Sequence, residues 1–347
     1  MNATNVLSKI KLSLNRLPVY KYRYYWFLVP AVILFIAVTL GAIYSAPGVF
    51  GDFANIGIDF EGGTVMTVSG LNLDNYDADR NTINDVLTAN GISVSSWQTS
   101  GNNSIVVRYA NYVNGEDYNE RAEEMGVINN NAVTQIHDAL MASGRYNGAT
   151  LEVNPEMING TARQDTINSS LIAVAVAMAL MLIYTAIRFD LFSGIAALCT
   201  QFIDVIVTLS LVIIFRVSIN ASLIAALITV VAYSINNTIV IFDRVRENMA
   251  PYKHKDKTKA DIPNILETSV TQCLRRALFT TTTTLITIVI LAFFGINIPS
   301  LSEFALPIIF GILSGLFSSV FLAPSIWGML MDLKNRQSTK KAKAKRR

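Results

Sequence analysis

The chain has 347 residues, 52% of them apolar, with a mean hydropathy of +0.40 and a formal net charge of +3. It holds only two cysteines and two histidines, which excludes a disulfide-stapled scaffold and a Cys/His metal cluster. Its apolar residues gather into six long runs, which argues for a transporter or transport accessory over a soluble enzyme.

Residues 1–25 form a short tail with Lys9, Lys11 and Lys21. Residues 26–45 are an apolar run long enough to cross a bilayer, which takes about 20 mainly apolar residues. The run is too long for the apolar core of a cleavable leader, and no small-residue cleavage site comes after it, so a retained span is expected. Residues 46–165 are polar and acidic. They hold sixteen carboxylates, five arginines (Arg80, Arg108, Arg121, Arg145, Arg163) and no lysine, near −11, which leaves the rest of the chain near +14. Short loops rich in Lys and Arg stay in the cytoplasm. Both termini and the loop around 253–259 are therefore expected inside, and the acidic domain outside. The basic tails fit anchors on anionic lipid better than nucleic-acid patches.

Within the acidic domain, 55–69 is β-like around a glycine pair, and 74–89 has a helical apolar face with Asp74 or Asp77 as its cap. Strands are expected at 92–99 and 104–110, a helix within 116–142, and a short last strand at 150–153. The order β-α-β-β-α-β is that of a ferredoxin-like sandwich. Five further spans are expected at 171–187, 191–215, 220–242, 273–294 and 304–330, inside a membrane unit of residues 166–330. Its one long inner loop, 243–271, carries charge and an expected amphipathic surface helix. Gly311 and Gly315, with Ser314 and Ser318, give the last span a small-residue packing face. Residues 331–347 are a basic tail. The fold class is thus an α-helical polytopic membrane protein with six spans and one extracytoplasmic α+β domain between the first two.

Ionisable groups inside a bilayer cost about 2.5–3.5 kcal/mol each on insertion scales, so a helix keeps one that is sheltered or used. Asp204 lies mid-span, Asn236 and Asn237 lie in the fourth span, and Arg275 and Arg276 lie near the inner end of the fifth. Glu303 opens the sixth at the outer interface. Helical rise places Asp204, Asn237 and Arg276 at similar depth, where a carboxylate and a guanidinium on neighbouring helices suit a proton or ion relay. Arg275 is placed to snorkel to the interface.

Three motifs resemble one family. Gly57-Ile-Asp-Phe-Glu-Gly-Gly-Thr64 looks like the signature that opens the outer domain of bacterial SecD and SecF proteins. Tyr233-Ser-Ile-Asn-Asn-Thr-Ile-Val-Ile-Phe-Asp-Arg-Val-Arg-Glu-Asn248 and Thr271-Gln-Cys-Leu-Arg-Arg-Ala-Leu278 look like the fourth- and fifth-helix motifs of the SecF branch. Order, spacing, helix count and length fit that branch over nearly the whole chain. The resemblance implies an accessory subunit of the Sec protein translocase, with the fold of the resistance-nodulation-division superfamily. It would work with SecD at the bacterial plasma membrane and be driven by the proton-motive force or another cation gradient, without a bound cofactor. Implied partners are SecD, the translocon of SecY, SecE and SecG, YidC and YajC, membrane lipid and the translocating unfolded polypeptide.

The family motif usually carries an aspartate where Asn237 stands, and Asn237 cannot titrate. Arg276 matches the family arginine, and Asp243-Arg244 is intact. The carrier is then Asp204, the partner's aspartate, or a site for another cation. Gly62 and Gly63 are expected to supply a tight turn, with Asp59 bonding backbone amides there. The alternative function is a half-transporter of the same superfamily that exports small molecules or lipids with a partner subunit. An intramembrane enzyme is weaker still, because the chain has no paired intramembrane aspartates and no His-Glu-x-x-His motif.

Overall fold

In the computed structural model, residues 18–46, 53–100, 103–113, 116–118, 121–146, 151–158, 160–252, 261–294 and 299–344 are described. Ten helices and five strands cover most of them: α1 Leu28–Tyr44, α2 Ile58–Glu61, β1 Gly63–Ser69, α3 Tyr76–Ala89, β2 Ile92–Ser100, β3 Ser104–Val113, β4 Glu116–Asp117, α4 Ala122–Ala142, β5 Glu152–Ile158, α5 Gly160–Arg188, α6 Leu191–Ile214, α7 Ala221–Met249, α8 Ile262–Phe294, α9 Pro299–Phe317 and α10 Ala323–Ala344. Six helical stretches among the described residues are long and apolar enough to cross a membrane, the last being α9 and α10 run together. The chain is a multi-pass membrane protein.

The strands form one antiparallel sheet in the order β2-β3-β1-β5, with β4 clipped to the end of β3. Alternation along β1 and β3 sends Met66, Val68, Ile105, Val107 and Tyr109 to one face, where Ile83 and Leu87 of α3 and Met125, Ile136 and Leu140 of α4 cover them. A polar chain crosses this core. Tyr109 donates to Asn129 at 2.8 Å, Asn129 to Thr64 at 3.1 Å, and Thr64 to Asn111 at 2.9 Å. Buried Asp79 accepts from Arg145 at 2.8 Å and from Tyr146, tying α3 to the end of α4.

The expected strand over 55–69 begins late. Ile58–Glu61 is a helical turn, and Gly62 breaks it with φ +85°. A Cβ on Gly63 would stand 2.6 Å from the Tyr109 carbonyl oxygen, so both glycines are required by backbone geometry. The residues before them pair elsewhere. Gly57 N–H donates to Ile219 O at 2.9 Å and Ile219 N–H to Asn55 O at 2.8 Å, which holds the signature segment on the α6–α7 loop. Neither Asp74 nor Asp77 caps α3; Asn75 stands at the cap and makes no side-chain capping bond.

In the bundle, α9 packs against α6, α7 and α8, while α1 lies along α6. The stretch α9–α10 is the most enclosed and α5 the least. The small-residue face of α9 packs within the chain: a Cβ on Gly311 would fall 2.1 Å from Val230 Cγ2, and one on Gly315 would fall 3.1 Å from Ser234 Cβ. Between α9 and α10 the helix widens into a π-turn, Ser318–Leu322, closed by Ala323 N–H on Ser318 O. Pro324 comes directly after, and proline lacks the N–H and crowds the carbonyl four residues back, so a regular ladder cannot run through it. Residues 262–271, expected within a surface loop, are the first turns of the continuous helix α8, and 253–260 lie outside the described residues.

Candidate functional site

One face of α6 is lined by small and polar residues at helical spacing: Ser193, Ala197, Thr200, Gln201, Asp204 and Thr208 are all buried. Asp204 is fully enclosed, ten residues before the end of α6 at Ile214 and so about 15 Å from it. Three hydroxyls surround its carboxylate. Ser234 of α7 donates to Oδ2 at 2.5 Å, Ser318 of the π-turn donates to Oδ2 at 2.8 Å, and Ser314 of α9 donates to Oδ1 at 2.8 Å. Thr238 and Ser319 extend the polar seam, their hydroxyls 2.9 Å apart. Gly315 lets α9 approach Ser234 closely enough to close the cage.

This arrangement can register a proton. An ionised carboxylate only accepts, so all three serines can donate to it. A neutral carboxyl carries its own O–H and needs an acceptor, so at least one serine must reverse its hydroxyl or withdraw. The three serines sit on α7, on α9 and in the π-turn, and a change of charge at Asp204 therefore acts on the contact between α6, α7 and α9.

The expected partnership of Asp204 with Arg276 is not formed. Arg276 is exposed on α8, and all three side-chain partners of Asp204 are hydroxyls. The reason is phase along the helix. Thr281, on the side of α8 that faces α7, accepts from Asn237 at 3.5 Å and from Tyr233 at 3.4 Å, and Arg276, five residues earlier, lies about 140° round the axis from it, on the exposed side. Asn237 is buried but turned to α8, and Asn236 is exposed. Arg275 is exposed, 5.5 Å from the Phe279 ring centroid. Asp243 takes Arg188 of α5 and Arg246, and Arg244 pairs with Glu247, so that motif ties down the end of α7 distant from the domain.

A second polar cluster joins the α+β domain to the bundle. Asp59 does not bond amides in its own turn; its Oδ2 accepts from Ala221 N–H, the first residue of α7, at 3.1 Å. Asn220 caps the same helix by accepting from Leu223 N–H at 3.1 Å, and donates to Glu303 of α9 at 2.5 Å. Arg108 of β3 lies 3.8 Å from the same Glu303 oxygen. These residues line a polar cleft of about 210 Å³ between sheet and bundle. The domain thus holds the near ends of α7 and α9, the helices whose serines hold Asp204. Sequence reasoning took Ser314 and Ser318 only as a packing face, missed them and Ser234 as partners of Asp204, and missed Asn220 and Arg108; the readable signal was Ser314 and Ser318 four apart on an apolar helix.

A buried acid in a six-helix bundle, linked through two helices to a docked α+β domain, defines a multi-pass membrane protein with an acid enclosed among its helices. The model of the C-terminal region of the protein export membrane proteins SecD and SecF matches residues 142–333, and the chain belongs to the SecD/SecF family. It is 28% identical to the protein translocase subunit SecF of Helicobacter pylori over 93% of this chain and 91% of that one. Against SecDF of Bacillus subtilis it is 36% identical over half of this chain, but it spans only 23% of that longer protein. The solved SecDF of Thermus thermophilus, described as translocon-associated, superposes with a TM-score of 0.63 at 26% identity, over 93% of this chain and 39% of that one.

Proposed function

We propose that this chain is a SecF-type accessory subunit that works with a SecD-type partner to promote polypeptide export through the Sec translocon, drawing on an ion gradient across the membrane. Relatives that carry both parts in one SecDF chain support the partnership, since this chain covers less than half of them. The observation that carries the reading is the double hold on α7 and α9. At mid-membrane their serines grip Asp204, and at their near ends they are held by Asp59, Asn220 and Glu303.

In this reading the α+β domain is ferredoxin-like and extracytoplasmic, and both termini are cytoplasmic, as the split of charge favours. The sheet order β2-β3-β1-β5 supports the first point. Loading and release of a cation at Asp204 shifts the bundle between two packings, and α7 and α9 carry the shift to the domain. One charge crossing 100 mV releases about 2.3 kcal/mol, enough to bias such an equilibrium. The test is a tagged copy purified from native membranes. Co-purification of a SecD-like subunit and the translocon pore is expected; a chain that comes alone, or with an export complex for small molecules, overturns the proposal.

A further inference from the structure

Among the described residues the sheet ends in two edge strands, and they are built differently. β5, at one edge, reads Glu-Val-Asn-Pro-Glu-Met-Ile, with Glu152 and Glu156 exposed and Pro155 lacking an N–H. Charge and proline are the usual devices that stop a further strand from adding. β2, at the other edge, reads Ile-Ser-Val-Ser-Ser-Trp-Gln-Thr-Ser, with no charge and no proline. Its register with β3 shifts between Ile92 and Ser96, then runs regularly from Ser96↔Arg108 to Ser100↔Ser104. Among the described residues nothing pairs with the outer side of β2. Every second residue of such a strand turns its N–H and C=O outward, leaving a short template of unpaired backbone.

We infer that β2 is a docking edge for an extended, unfolded polypeptide segment, which adds to the sheet as a further strand beside Ser96–Ser100. The inference rests on the translocase reading above and names how the exported chain is held. Strand addition draws its affinity from main-chain hydrogen bonds, so it accepts many sequences, as a general export subunit requires. The adjoining cleft reaches Ser95 and Ser96 and is lined by uncharged polar side chains, Asn55, Ser218 and Ser222, beside the charged groups that join the domain to the bundle, which suits varied side chains. A second copy of this chain is the less favoured occupant, because it would bring another acidic domain of about −11 against the first.

The experiment places a photo-crosslinking residue at Ser95, at Thr99 and, as control, at Asn154 of β5, in membrane vesicles that contain the sister subunit and a secretory polypeptide arrested in transit. Adducts to the arrested chain at least tenfold stronger from Ser95 and Thr99 than from Asn154 are expected. Equal yields from both edges, or adducts from β2 only to the sister subunit or to a second copy, overturn the inference. A Ser95→Lys, Thr99→Lys double variant should reduce the same adducts made from a probe at Ser93, and unchanged adducts count against it. The two levels separate cleanly. If the wild-type protein gives no gradient-dependent export, the functional reading falls; if it does and the edge adducts are absent, only the docking edge falls.

Discussion

Ser234 and Ser318, 84 positions apart in the chain, donate to the same oxygen of Asp204, at 2.5 and 2.8 Å. One comes from α7 and the other from the π-turn after α9, so a single carboxylate oxygen ties two helices to a third. Among the described residues this acid is enclosed by hydroxyls instead of a counter-charge, which makes its charge state a determinant of packing.

Asp204→Asn keeps the shape and most of the hydrogen bonding but removes titration. Export by inverted vesicles should fall to the level seen when the gradient is collapsed by an uncoupler, while assembly with the partner is unchanged. Export that still responds to the uncoupler would exclude Asp204 as the carrier.

Ser318→Ala removes one donor from a buried carboxylate. Hydrogen bonds to charged groups contribute about 1.5–3 kcal/mol, so thermal unfolding in detergent should shift down by a few degrees. Ser325→Ala, which removes only a hydroxyl bonded to its own helix at Phe321 O, is the control and should shift much less.

Gly311→Ala drives a methyl group into Val230, whose nearest carbon is 2.1 Å from that position. The cost should be about 1–3 kcal/mol by overpacking. Adding Val230→Ala should recover part of it, and a double-mutant cycle with no coupling would show that α7 and α9 do not meet there.

Asp59→Ala frees the first amide of α7 and should cost about 0.5–2 kcal/mol, in the range of a lost helix cap. Hydrogen exchange at Ala221 should quicken, and gradient-driven export should drop even though Asp204 is intact. Wild-type exchange and export in this variant would mean that the joint transmits nothing.

Burial raises the Tyr109 phenol well above its ordinary value of 10.0. Above about pH 10 the unfolded chain loses this proton first, so the folded domain loses stability as pH rises, by up to about 1.4 kcal/mol per pH unit. Tyr109→Phe should flatten that alkaline slope in denaturant titrations while lowering stability at neutral pH, because the Asn129 carbonyl then loses its donor. A slope unchanged in the variant would assign the alkaline loss to other groups.

The spans were legible because apolar length is a one-dimensional signal, and the order of the sheet elements came from alternation and turns. Asp204 was legible as an acid out of place. Its partners were not, because a serine costs little in an apolar helix and gives no sign of where it points. Arg276 misled for a related reason: similar depth on neighbouring helices says nothing about which way each side chain faces, and here it faces outward. The late start of β1 was hidden because the pairing of Gly57 with Ile219 joins residues 162 apart.

The π-turn also fixes the tolerance of this chain to length changes. Each residue added to a helix turns the next side chain by about 100° around the axis. The wide turn takes up its extra residue within about one revolution, so Trp327 and Met331 stay in their core and Asp332 stays at the Tyr20 hydroxyl, whereas inserting or deleting a residue between Pro324 and Trp327 would swing all three away. The single wide turn therefore acts as a phase adjuster. It lets one continuous helix present serines to the acid in its first half and a tryptophan face to a different set of neighbours in its second.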